Sequence, residues 1–158
     1  MPTDTFQLFV MSAYIAAFDP NLEKPFNDWS SQHIRQGFSW RSGSVSFSTL
    51  DDVGDIRVSV RRAPSVLVGD DSERAIVVPF TVGPSNIVEI AGLDRGERVH
   101  VAEGSYALLF ETGFDTSRMM WCRMMFVPST SVEPQILRAD SRLSPEYPLL
   151  MEARPAGP

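Results

Sequence analysis

The sequence predicts a mainly β chain: an antiparallel β-sandwich with one short helix near the N-terminus and an irregular, Pro-rich C-terminal tail. Three observations carry that expectation. Apolar residues alternate with polar ones in many short runs, as in Ile56, Val58 and Val60 against Arg57, Ser59 and Arg61. Turn signals interrupt those runs about every 8–12 residues, the spacing of a sandwich or barrel. Only one stretch carries helix start and stop signals.

Along the chain, Phe6, Leu8, Val10, Tyr14, Ala16 and Phe18 fall on alternate positions and read as one face of a first strand. That stretch has no basic residue before it and is broken by Gln7, Ser12 and Tyr14. It is therefore expected to be a strand and not a signal peptide. Residues 19–27, with Pro20 and Pro25, form a loop. Asp28 or Ser30 can cap a short helix that stops at Gly37, where positive φ suits glycine. Phe38 and Trp40, then Val45 and Phe47, flank a turn containing Gly43. Further strands are expected around residues 56–61, 75–82, 87–90, 99–101, 106–110 and 119–127, with Pro79 marking an edge or a bulge. Residues 1–138 are expected to form the domain and 139–158 a tail that wraps it, its last few residues loosely held.

Length and composition narrow the function. A chain of 158 residues, 43% hydrophobic and 22% charged, fits one globular domain. The single cysteine, Cys122, permits no internal disulfide, and no run approaches the ~20 apolar residues of a membrane helix. A cytoplasmic protein without a membrane span is expected. The net charge of −6 repels nucleic acid, so direct nucleic-acid binding is not expected. Arg57, Arg61 and Arg62, the one basic stretch, read as a solvated strand face paired with neighbouring aspartates.

No nucleophile elbow, phosphate-cradling glycine loop or paired-cysteine metal motif occurs, so no catalytic residue, cofactor or metal is expected. His33 reads as a solvated helix residue, His100 as an outward strand position and Cys122 as a buried thiol among core methionines. Carboxylates cluster in three turns: Asp51, Asp52 and Asp55; Asp70, Asp71 and Glu73; and Asp94 with Glu97 and Glu103. The first two are the candidate partner-binding residues, because a negative patch steers a basic protein towards it. The alternative is a calcium- or small-ligand-binding sandwich, since a hard cation takes several oxygen ligands.

The succession Asp28-Trp29, Gly37-Phe38 and Gly43-Ser44-Val45-Ser46-Phe47 resembles the competence protein J family, whose described member inhibits the DNA-entry nuclease. The likeness continues in Val78-Pro79-Phe80-Thr81-Val82, in Asn86-Ile87-Val88-Glu89-Ile90, and in Glu103-Gly104-Ser105-Tyr106-Ala107-Leu108, covering about residues 5–127. The resemblance implies an inhibitor or immunity-type protein that binds a DNA nuclease inside the producing cell. A nuclease cleft built for phosphate is basic, and an acidic protein can fill it. The motif residues themselves are expected to serve the fold. Asp28 caps the helix, Trp29 anchors it on the sheet, and Gly37, Gly43 and Gly104 allow turns. Phe47 and Phe80 fill the core, Pro79 marks the strand edge and Tyr106 starts a buried strand. The chain departs from the family in the acidic stretch Asp51–Asp55, after Gly113, and in the tail beyond Pro128.

Overall fold

Two sheets face each other in the computed structural model, which describes residues 3–157. The strands are β1 (Asp4–Val10), β2 (Tyr14–Phe18), β3 (Phe38–Arg41), β4 (Ser44–Ser48), β5 (Gly54–Arg62), β6 (Arg74–Val82), β7 (Ile87–Ala91), β8 (Gly96–His100), β9 (Gly104–Phe114), β10 (Met120–Pro128) and β11 (Gln135–Arg138), with one helix, α1 (Ser31–Gln36). Six strands form one sheet in the order β1-β5-β10-β9-β6-β11, and five form the other in the order β3-β4-β2-β7-β8. The expected sandwich of mainly antiparallel strands is present. One pair departs from it: β5 and β10 run parallel, with Met120 opposite Ile56, so the larger sheet is mixed.

The core lies between the sheets. Phe47 of β4 stacks face to face on Phe110 of β9, with centroids 4.3 Å apart. Phe80 and Tyr106 both meet the edge or face of Phe126 at just under 6 Å. Cys122 and Met124 are buried in the same cluster, and burial pushes the Cys122 thiol well up from its ordinary range. Trp40 ties the sheets together by donating from Nε1 to the carbonyl of Pro79 at 2.7 Å. Pro79 sits where β6 has an open edge, because β11 covers only Ala75 to Val77.

The expected single first strand is two strands on different sheets. Leu8 and Val10 of β1 face the core, but in β2 it is Ile15 and Ala17 that do. The chain changes sheet at Met11–Ala13, where Ala13 adopts φ 65°, and this offset reverses the alternation. Tyr14 is half-buried, and Ala16 and Phe18 lie in a satellite cluster with Leu22 and Phe26. The apolar pattern stays regular through the switch because β2 is covered on both faces.

Ser30, not Asp28, caps α1: its side chain accepts from the His33 amide, and the His33 imidazole accepts from the Ser30 amide at 2.9 Å. Asp28 instead accepts from the Arg154 amide at 3.0 Å. Gly37 ends the helix at φ 85°. A Cβ there would lie 2.9 Å from Cδ2 of Leu143 and 3.2 Å from Cδ1 of Ile76. Gly37→Ala is expected to lower stability by about 1–2 kcal/mol from the left-handed backbone alone. Thermal unfolding checks this as a fall of about 2–8 °C in midpoint; an unchanged midpoint would show that the helix end can re-form otherwise.

Residues 139–157 form no strand beyond a single bridge between Asn27 and Pro155. They nonetheless pack closely, with Leu143, Leu149 and Met151 resting on the core. The Gln36 side chain both donates to the Leu150 carbonyl and accepts from its amide, each at 2.9 Å. The end is not loose: Ala156 donates to the Phe26 carbonyl at 2.8 Å. Pro158 lies outside the described residues.

Candidate partner-binding surface

The acidic residues singled out by sequence fall into separate groups. Asp51 and Asp52 occupy the turn between β4 and β5, and Asp55 follows on β5 opposite Phe9 of the edge strand β1. The Asp52 carbonyl receives the Ala13 amide at 3.0 Å, fixing this turn against the β1–β2 switch. Asp70, Asp71 and Glu73 precede β6, three positions from β5 in the same sheet. Asp71 is engaged: Arg123 donates to both its oxygens, at 2.7 and 3.2 Å, and also pairs with the buried Glu111. The Arg123 hydrogen bond and charge hold the Asp71 carboxyl below the usual carboxylate range. Asp94 and Glu97 lie in and just after the β7–β8 turn, while Glu103 is anchored to Asn86 through its amide. Asp51, Asp52 and Asp55 are thus the group at the sheet crossover, and no ion pair engages their side chains among the described residues.

Beside that group opens a cavity of about 410 Å3 with mostly apolar walls. Tyr14, Trp29, Ile34 and Leu143 supply those walls, and Asp52 stands on its lining. Trp29 leans on Tyr14 of β2, with centroids 6.4 Å apart, and so seats the start of α1 on the outer side of the five-stranded sheet. Its indole Nε1–H is buried without an acceptor. Ile34 is 62% exposed, which makes it the one large apolar side chain α1 offers to solvent. Burial raises the Tyr14 hydroxyl above its ordinary value. Ser12, Ser48, Thr49, Arg74 and Arg142 share the lining with Asp52. A pocket whose open surface is mostly apolar suits an apolar side chain or small group, and the exposed Asp52 on its lining favours a cationic neighbour. Tyr14, Ile34 and Leu143 do not stand out as a set in the sequence, because they come from three distant segments. The lone exposed isoleucine on a polar six-residue helix was the available signal.

None of the remaining candidates lines this cavity. His33 is not solvated: it is 3% exposed, and with Nδ1 accepting from Ser30 its Nε2–H donates to the Glu152 carbonyl at 2.8 Å. His100 is exposed on β8, as an outward strand position. Arg57 pairs with Asp115 at 3.6 Å and not with the Asp51–Asp55 group, while Arg61 and Arg62 form no ion pair among the described residues. No group of three or more His, Cys, Asp or Glu among those residues is placed to hold a metal ion. No helix there is long and apolar enough to cross a membrane.

The family model for competence protein J matches residues 7–127 of the chain. The chain belongs to the competence protein J family. The fold agrees. The crystal structure of ComJ from Bacillus subtilis, described as an inhibitor of the DNA-degrading activity of NucA, superposes with a TM-score of 0.66 at 18% identity, over 80% of this chain and 96% of that one. The structure described as Crocagin biosynthetic gene J superposes with a TM-score of 0.54 at 13% identity, over 82% and 100%. No curated protein matches in sequence. The competence protein J match contains Tyr14, Trp29, Ile34 and Asp52, and it ends within β10. Leu143, which closes the cavity, comes from outside it.

Proposed function

We propose that this chain is a non-enzymatic, cytoplasmic inhibitor of a DNA nuclease, which it binds through the cavity of Tyr14, Trp29 and Ile34 and the adjoining Asp51, Asp52 and Asp55. The observation that carries this reading is family membership, together with a fold shared with a Bacillus subtilis protein described as inhibiting a DNA-degrading activity. The geometry supports it. An apolar hollow beside free carboxylates combines a place for a buried anchor with a charge that attracts a basic phosphate-binding cleft. Asp71 contributes less, because Arg123 already neutralises it.

The test is inhibition of the DNA nuclease encoded beside the gene. The chain should abolish DNA cleavage at a 1:1 ratio, and the association rate should fall as NaCl rises from about 50 to about 500 mM, because steering charges are screened over a Debye length. Undiminished cleavage at a ~tenfold molar excess of the chain would end this reading.

A further inference from the structure

We infer that the end of the sandwich opposite the proposed interface holds a second site, in which Arg62, Arg61 and His100 bind a single oxyanion group, a phosphate or a carboxylate. The core-facing row of β5 runs Ile56, Val58 and Val60, each at most 2% exposed, and its next inward position is Arg62. Arg62 stands opposite Phe126, a fully buried core residue. Its guanidinium lies over the Tyr106 ring, 5.8 Å from the centroid, and its Nε–H is buried without an acceptor. A charge drawn into a protein end in this way costs stability unless a counter-charge meets it. Among the described residues no carboxylate pairs with Arg61 or Arg62.

Both arginines and His100 line one cavity of about 260 Å3, beside Val101. Asp4 also borders it but forms no ion pair with either arginine. The planar guanidinium fork suits two oxygens of one anion, and a second arginine and an imidazole supply further donors. The volume lies below the roughly 300–1,000 Å3 of a drug-sized site, so the ligand is one charged group and not a whole nucleotide. Arg62 lies about 23 Å along β5 from Asp55, so the site can fill while the other end is engaged.

Thermal unfolding of the full chain in inorganic phosphate, and separately in acetate, at ionic strength held constant with NaCl, tests this. At about ten times its Kd the bound anion should raise the midpoint by about 3–6 °C. Phosphate also stabilises proteins without binding them, so the readout is the difference from Arg62→Met, which continues the apolar row. That variant should unfold no lower than the unsubstituted chain without anion, and should lose the anion-specific rise. Arg61→Gln, at an exposed position, should weaken the response while leaving the fold untouched. A response to phosphate alone assigns a phosphate-bearing ligand, and an equal response to acetate assigns a carboxylate. No rise with either anion, a rise undiminished in Arg62→Met and Arg61→Gln, or a lower midpoint for anion-free Arg62→Met would overturn the inference.

Discussion

Asp140→Ala is expected to destabilise the chain by about 3–5 kcal/mol, a fall of about 6–20 °C in unfolding midpoint. Its partner Arg74 opens β6 with a side chain only 2% exposed, and Asp140 itself is 13% exposed. Arg74 donates from Nε and Nη2 to the two Asp140 oxygens at 2.6 and 3.0 Å, and from Nη1 to the carbonyl and hydroxyl of Ser48 at 2.9 and 2.7 Å. One guanidinium thus joins the six-stranded sheet, the end of β4 and the start of the tail. Removing the carboxylate leaves a buried cation with a neutral partner only, and that uncompensated charge is the source of the cost. Removing both charges in Arg74→Met with Asp140→Ala should therefore cost less than Asp140→Ala alone. A single-variant effect under about 1 kcal/mol, or a double variant at least as damaged as the single, would show that the pair does not hold the tail.

The same pair sets a pH dependence. Burial pushes the Asp140 carboxyl up, but the Arg74 hydrogen bonds and charge outweigh it and hold the group below its ordinary value. A depressed carboxylate binds its proton less readily folded than unfolded. Its stabilisation is complete above the unfolded value of ~3.9 and is lost as pH falls through the folded one. Acid unfolding should therefore release residues 139–157 early, and Asp140→Asn should remove that part of the acid transition.

How much of this was legible in the sequence depends on the range of the interaction. The helix was, because its signals are local: Ser30 before the first turn and Gly37 at the αL stop lie within one short stretch. The inward row Ile56, Val58 and Val60 was legible for the same reason, as was Pro79, whose missing N–H suits the edge beyond β11. The β1–β2 switch was not. Parity reverses at Ala13, yet Ala16 and Phe18 on the outer face are as apolar as Ile15 and Ala17 on the inner one, so the pattern carried no break. The parallel pairing of β5 with β10 and the pairing of Arg74 with Asp140 are set by contacts between distant residues, which no periodicity encodes. In the candidate site, Asp51 and Asp52 were legible as an acidic turn, while the family motif marked Trp29 only as the anchor of the helix on the sheet. The cavity was not, because Tyr14, Ile34 and Leu143 meet only after the sheet switch and the return of the tail.

Ile34→Asp is expected to weaken inhibition of the nuclease by about 30-fold or more, the loss of a central interface contact. The substitution separates shape from charge. Ile34 is 62% exposed on α1, so replacing it should change stability little. It also adds a negative charge beside Asp52, which on steering alone would speed association with a basic cleft. If the nuclease is held mainly by charge, Ile34→Asp should therefore bind as well as or better than the unsubstituted chain. If an apolar anchor enters the cavity between Ile34 and Trp29, a carboxylate at its mouth must be desolvated on binding, and dissociation should quicken. Replacing Asp51, Asp52 and Asp55 together by asparagine should do the reverse: a slower, less salt-dependent association with dissociation nearly unchanged. Measuring both rates for the two variants decides the matter. Tight inhibition by Ile34→Asp would remove the cavity from the interface and leave the carboxylates; an unchanged association rate in the triple variant would remove the carboxylates and leave the cavity.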